Sequence, residues 1–112
     1  MTTAFVWFHN GSDKPSECVA FYEKLLDWKG TDGPPGMTML SRDAAPFAAV
    51  MARKGSVVGW VPYVQVDDIV AATKRAAKLG AEVLEDATRG PAGTYSVVRD
   101  PGGAAVALWQ KA

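Results

Sequence analysis

The chain has 112 residues, 48% of them hydrophobic and 21% charged, which is the composition of an ordinary globular domain. Twelve basic residues balance twelve acidic residues, so the positively charged surface typical of a nucleic-acid-binding protein is missing. No apolar run approaches the roughly 20 residues that cross a membrane, and no signal peptide is visible. We therefore expect one cytoplasmic domain with neither a nucleic-acid nor a membrane partner.

The first predicted elements are a strand at residues 4–9 and a helix that follows it. Residues 10–13 have the composition of a turn and a helix cap, and Pro15 suits the first helical turn because its missing N–H needs no partner there. Packing explains the single cysteine better than nucleophilic chemistry does, because it lies on the apolar side of the helix. That apolar stripe comprises Cys18, Phe21, Tyr22, Leu25 and Leu26.

Short strands and turn-rich segments complete the first half of the chain. We predict a short strand that begins at Trp28, a loop at residues 31–36, and strands at residues 37–41 and 47–52. A glycine-containing link at residues 53–59 leads to the second half, and it is not a domain boundary.

The second half begins with the clearest strand–helix unit of the chain, at residues 60–81. Residues 63–66 are mostly aromatic or β-branched, which favours a strand, and Asp67 or Asp68 can accept hydrogen bonds from the free N–H groups of a helix start. Gly80 stands where a helix commonly ends in a left-handed residue. The apolar stripe of this helix comprises Ile69, Ala72, Ala76 and Leu79.

Three further strands are predicted after this helix, at residues 82–85, 94–99 and 104–109. A loop at residues 88–93 and a tight turn at residues 100–103 separate them. Each half of the chain therefore has the same plan, in which a strand and a helix precede three strands.

An internal duplication explains the shared plan economically. Asp13 aligns with Asp68 at an offset of 55 positions, which is close to half of the 112 residues. The alternative is two unrelated strand–helix units, which mixed folds often contain.

The doubled plan resembles the vicinal oxygen chelate superfamily, which contains glyoxalases, extradiol dioxygenases, fosfomycin resistance enzymes and bleomycin-binding proteins. The resemblance is carried by AFYEKLLDW at residues 20–28, VPYVQVDDIVAATKRAAKLGAEV at residues 61–83 and RDPGGAAVALWQ at residues 99–110. Small bacterial glyoxalase-related members look most similar. The resemblance implies an α+β fold in one domain, with two βαβββ modules, about residues 1–54 and 60–112, whose curled mixed sheets surround a cavity with the helices outside.

Strand alternation indicates which side chains line such a cavity. Trp7 and His9 share one face of the first strand, and Tyr63 and Gln65 share one face of the fifth. We predict that a small, partly apolar molecule binds to the inward-facing residues Trp7, His9, Tyr63, Gln65 and Trp109. The alternatives are a histidine bonded to backbone or water, and aromatic side chains that only pack at the rim.

Metal-dependent members of the superfamily carry His, Glu or Gln at four inward positions. Counted from the shared motifs, these positions fall on Trp7, Val61, Ala107, and Val50 or Met51. None of these side chains ligates a hard metal ion. His9 and Gln65 lie one inward position beyond two of the sites, but two neutral ligands would bind weakly. We therefore expect neither a metal nor another cofactor.

Three functions remain open from the sequence. The first is a metal-free protein that binds a small molecule in its cavity. The second is a glyoxalase-like lyase or isomerase, or a dioxygenase-related enzyme, with a divalent metal, because a one-residue slip in register would exchange the two faces of a strand. The third is a dimeric interaction module with Trp28, Trp60 and Trp109 as an exposed patch, and we expect a homodimer.

Overall fold

The computed structural model describes residues 3–112. They form two compact units, a first module of residues 7–61 and a second module of residues 62–112 with the described residues up to Val6. The elements are β1 (Phe5–Ser12), α1 (Pro15–Leu25), β2 (Lys29–Asp32), β3 (Met37–Ser41), β4 (Pro46–Ala52), β5 (Gly59–Gln65), α2 (Ile69–Lys78), β6 (Glu82–Gly90), β7 (Gly93–Arg99) and β8 (Ala105–Lys111). The chain thus has the predicted α+β fold with two βαβββ repeats.

The first module has the strand order β2-β3-β4-β1. Strand β1 is parallel to β4, and the other pairs are antiparallel. A core of Leu40, Ala48 and Val50 lies on the side of the sheet that α1 covers, and Cys18 and Val19 of the helix pack against it. Packing therefore explains the single cysteine, as the sequence predicts.

The second module repeats this arrangement, with the strand order β5-β8-β7-β6 and a parallel pair of β5 and β8. Ile69 and Thr73 are the buried residues of α2. The Thr73 hydroxyl lies 2.8 Å from the Ser96 hydroxyl of β7 and donates to the Ile69 carbonyl. The Gln110 carboxamide of β8 accepts a hydrogen bond from the Ile69 N–H. These bonds fix the face of the sheet that α2 covers.

The two helices begin differently. Asp68 caps α2, because its carboxylate accepts a hydrogen bond from the Ala71 N–H at 3.1 Å. The predicted turn and cap at residues 10–13 are wrong, since β1 continues to Ser12 and α1 starts after Lys14 without a side-chain cap bond. Asp13 forms an ion pair with Arg53 at 3.0 Å instead. Pro15 occupies the first turn of α1, as predicted.

The loop predicted at residues 88–93 is also wrong. Strand β6 continues to Gly90 and forms a tight hairpin with β7, which begins at Gly93. The turn predicted at residues 100–103 is confirmed, because the Asp100 carboxylate accepts hydrogen bonds from the Gly102 and Ala104 N–H groups.

Neither described helix is long and apolar enough to cross a membrane. The cytoplasmic location stays a prediction.

Candidate functional site

The pairing of three strands determines which residues of the second module face away from α2. Strand β8 pairs with β5 so that Tyr63 lies opposite Ala107 and Gln65 lies opposite Trp109. Its pairing with β7 places Tyr95 opposite Trp109. Residues opposite one another share a face. The predicted site residues Tyr63, Gln65 and Trp109 are therefore together on the face that α2 leaves uncovered.

Two residues of this face are absent from the predicted site. The rings of Tyr63 and Tyr95 are 6.3 Å apart between centroids. The Tyr95 hydroxyl donates to the Glu85 carboxylate of β6 at 2.9 Å. We call Tyr63, Gln65, Glu85, Tyr95 and Trp109 the tyrosine face.

The environment of Tyr63 keeps its phenol neutral. Burial raises the pKa of this phenol well above its usual value, and the nearby Tyr95 and Glu85 raise the pKa further. A phenolate here would lose hydration and face another negative group, so the protonated form is favoured. Tyr63 therefore keeps its proton in alkaline solution in which an ordinary tyrosine ionises.

The indole of Trp109 lies over the beginning of β7, where Gly93 leaves space for it. A side chain at Gly93 would meet the Trp109 indole nitrogen at 2.8 Å and would overlap the Gln110 carbonyl. Gly93 also has a φ angle of +148°. The glycine thus permits the half-buried position of the indole.

The corresponding face of the first module carries the other two predicted site residues. His9 lies opposite Ala49, and Gly11 lies opposite Met51. Trp7 and His9 alternate on β1 with Phe8, which packs against the core on the α1 side. Trp7 and His9 are therefore on the face away from α1, as predicted. His9 lies in the middle of β1 rather than at its end.

Aromatic side chains of the first module form a second cluster. The Trp60 indole N–H donates to the Tyr22 hydroxyl at 2.9 Å, and Tyr22 stacks on Trp28 at 5.4 Å between centroids. An open groove of about 320 Å³ beside Trp28 is lined by Trp28, Arg42, Asp43, Ala45 and Phe47. Trp28 and Trp60 are in ring contact with each other, whereas Trp109 belongs to the second module.

A metal centre of the kind implied by the resemblance does not fit these side chains. In residues 3–112, no group of three His, Cys, Asp or Glu side chains could hold a metal ion. The four counted positions offer indole, thioether or aliphatic groups, and Met51 rather than Val50 shares a face with His9. Hard divalent ions need several converging nitrogen or oxygen donors.

Comparison with known families decides the assignment. The family model of the glyoxalase-like domain matches residues 7–109. The chain belongs to the glyoxalase-like domain family. This family lies within the vicinal oxygen chelate superfamily that the sequence motifs predict, so that prediction is confirmed.

Two relatives resemble this glyoxalase-like domain along most of its length. A Mycobacterium tuberculosis protein named "Putative glyoxylase CFP32" is 34% identical over 93% of the chain and 44% of its own length. The anthracycline biosynthesis protein DnrV of Streptomyces peucetius is 31% identical over 94% of the chain and 46% of its own length. The chain thus spans about half the length of the curated relatives it matches.

A solved structure shows the same fold. A methylmalonyl-CoA epimerase variant of Streptomyces coelicolor, in complex with 2-nitronate-propionyl-CoA, aligns with a TM-score of 0.67 at 17% identity. The alignment covers 100% of this chain and 99% of the epimerase chain. At this identity the likeness establishes the fold and not the reaction.

Proposed function

We propose that this glyoxalase-like domain binds a small, planar, partly apolar molecule against the tyrosine face. The observation that carries the proposal is the concentration of three half-buried aromatic rings and two polar side chains on the face of the second module that α2 leaves uncovered. Small-molecule sites have this composition, in which apolar and aromatic walls supply contact area and a few polar groups orient the ligand.

The geometry suits a flat ligand in particular. Tyr63 and Tyr95 lie at a tilt of 40° within ring-contact distance, and Trp109 is the strand partner of Tyr95. A planar molecule could stack on these rings, while the neutral Tyr63 hydroxyl and the Gln65 carboxamide offer hydrogen bonds. The name of the relative DnrV supports a fused-ring ligand, because anthracyclines are polycyclic aromatic compounds. Contributions of Trp7 and His9 to ligand binding stay a prediction.

The test is the affinity of the chain for quinoline, a neutral planar probe, in the wild type and in two tryptophan variants. We expect Trp109→Leu to weaken binding about tenfold, because stacking on one aromatic side chain contributes on the order of 1–3 kcal/mol. Trp28→Leu is the matched control and should leave the affinity unchanged, since Trp28 lies in the aromatic cluster of the first module.

The opposite pattern would contradict the proposal. If Trp28→Leu abolishes binding and Trp109→Leu does not, the ligand occupies the groove beside Trp28. Melting curves of both variants separate a lost contact from a lost fold.

A separate experiment tests whether the protein binds its ligand without a metal ion. Ligands that bind only the native state raise the melting temperature. We expect chelator-treated protein to melt at the same temperature with and without zinc, nickel, manganese or ferrous iron. A clear rise with one ion would favour the metal-dependent enzyme instead, in line with the glyoxylase in the name of CFP32.

The exposed side of α1 favours a second candidate function, the formation of a homodimer. None of the residues of α1 is buried, and Phe21 and Leu25 are 56% and 61% exposed one helical turn apart. The curated relatives are more than twice the length of the matched region, which leaves room for a second domain of this size. We propose that a second copy of the chain covers this apolar side.

Sedimentation analysis of two surface variants tests the dimer. Leu25→Lys should convert a dimer into a monomer, because a charge in an apolar interface loses its hydration. Leu79→Lys is the control, since Leu79 is an exposed leucine at the end of the other helix, and it should leave the dimer intact. A monomeric wild type, or equal effects of the two variants, would contradict the proposal.

A further inference from the structure

The tyrosine face carries a carboxylate directly beside its aromatic rings. Glu85 is half-buried and accepts the hydrogen bond of the Tyr95 hydroxyl at 2.9 Å. Arg99 lies toward the other end of the face, where it forms an ion pair with Glu82 at 3.0 Å. Glu85 is thus the carboxylate in direct contact with a ring residue of the tyrosine face.

Lys111 is a further cation on this side of β8. It is exposed and lies opposite Gly93, at the end of the strand. Glu85 lies opposite Val97, which pairs with Ala107, so Lys111 is about 13 Å farther along β8 than Glu85, although it is only two positions beyond Trp109. Charges this far apart on a wet surface are largely screened at physiological ionic strength.

The irregular course of β6 gives Glu85 its position. The pairing of β6 with β7 shifts register between Val83 and Glu85 and again between Glu85 and Thr88. Such irregularities redirect side chains, and they are frequent beside binding sites. Glu85 is brought opposite Val97 on the tyrosine face, whereas the register before the first shift would pair it with Ser96 on the face that α2 covers.

Aromatic faces combined with a carboxylate recognise a specific chemical class. The faces of tyrosine and tryptophan rings attract cations, and this attraction grows when water is displaced. A carboxylate adds a direct Coulombic attraction and hydrogen-bond acceptors. Neutral or anionic planar molecules gain only the stacking.

We propose that the tyrosine face selects planar organic cations, with the Glu85 carboxylate as the charge partner and the rings of Tyr63, Tyr95 and Trp109 as the stacking surface. The ligand class is an aromatic compound with a protonated or quaternary nitrogen in, or next to, its ring system. This inference rests on the proposed function, because it specifies the ligand of the same site.

Three bicyclic probes of similar size test the charge preference by titration at physiological ionic strength. N-methylquinolinium is a cation, quinoline is its neutral counterpart at neutral pH, and naphthoate is an anion. We expect N-methylquinolinium to bind about tenfold more tightly than quinoline, and naphthoate to bind more weakly than either.

Two isosteric substitutions in β6 test whether the preference for the cation comes from the Glu85 carboxylate. Glu85→Gln keeps an acceptor for the Tyr95 hydroxyl but removes the charge, and it should reduce the cation affinity about tenfold while the quinoline affinity changes less than about twofold. Glu82→Gln removes a charge toward the other end of the face and leaves Arg99 without its ion pair, so it should reduce the cation affinity by less than Glu85→Gln does.

The outcomes distinguish this inference from the function on which it rests. Binding of all three probes with equal affinity, or an unchanged preference in Glu85→Gln, overturns the charge selection and leaves the planar-ligand site standing. Failure of all three probes to bind overturns both. If Glu85→Gln weakens the binding of quinoline and of N-methylquinolinium equally, the charge role of Glu85 is overturned. Glu85 then only maintains the structure of the site.

Discussion

The two modules of the chain share a scaffold but not a surface chemistry. In both, the first strand is parallel to the last strand of the module, and one helix covers one face of the sheet. The face of the first module away from α1 carries Ala49 and Met51 beside His9, whereas the face of the second module away from α2 carries two tyrosines and the Glu85 carboxylate that Tyr95 contacts. The two modules therefore share a scaffold while the residues at corresponding surface positions differ. We assign ligand binding to the second module because of its tyrosine face.

Paired substitutions in the two modules sharpen this comparison. Each pair changes equivalent or similarly placed residues, so that a difference in the free energy of unfolding reports the local environment rather than the type of substitution.

The largest difference is expected between the glycines of the two hairpins. Gly93→Ala should cost about 3 kcal/mol or more, because the new methyl group overlaps the Gln110 carbonyl and displaces the Trp109 indole. Gly36→Ala in the β2–β3 hairpin should cost only about 1 kcal/mol, since Gly36 has a φ of +82° but no atom within 4 Å of the new methyl group. Urea denaturation measures both, and equal losses would show that Trp109 does not depend on Gly93.

The second difference concerns a helix position that is occupied by Thr73 in one module and by Cys18 in the other. Thr73→Val should cost about 2 kcal/mol, because it removes the hydroxyl partner of the fully buried Ser96. Cys18→Val should cost less than about 1 kcal/mol, since the Ser12 hydroxyl keeps its bond from the Lys14 N–H. Denaturation curves in which Cys18→Val is the more harmful change would contradict this assignment.

A smaller difference separates the two aspartates before the helices. Asp68→Ala should cost about 1 kcal/mol through the loss of the cap on α2. Asp13→Ala should cost less than about 0.5 kcal/mol, because it removes only a surface ion pair with Arg53. Thermal melts of the two variants provide the measurement, and an Asp13 variant as unstable as the Asp68 variant would show that both aspartates cap their helices.

The smallest effect is restricted to alkaline solution. Because the pKa of Tyr63 is raised in the folded protein, the unfolded chain loses this proton first, and stability falls as the pH rises above the usual tyrosine value of about 10. Half a unit above that value, wild type should lose roughly 0.8 kcal/mol more than Tyr63→Phe, relative to neutral pH. Urea titrations of both proteins across this range give the difference. Parallel pH profiles would contradict the burial of the phenol.

The sequence predicts the scaffold because that information is local. The strand–helix unit before Gly80, the Asp68 cap and the Asp100 turn each depend on residues close together in the chain, and all three are confirmed. Strand alternation likewise assigns Tyr63, Gln65 and Trp109 to one face.

The rest of the site depends on pairing between strands that are distant in the chain, which the sequence does not predict. The sequence predicts that β6 ends at residue 85, so it gives no reason to place Glu85 against Tyr95. The strand continues because its later residues pair with β7, and the two register shifts that direct Glu85 depend on that partner. Tyr95 could have been found from the alternation of β7, but only the pairing of β7 with β8 shows that it lies opposite Trp109.

The most direct test of the ligand site uses the indole N–H signals of the four tryptophans in a two-dimensional NMR titration with N-methylquinolinium. The account predicts that the Trp109 signal shifts in a saturable manner, while the signals of Trp28 and Trp60 stay in place. Saturable shifts of Trp28 and Trp60 with a stationary Trp109 would contradict the account and move the site to the aromatic cluster of the first module.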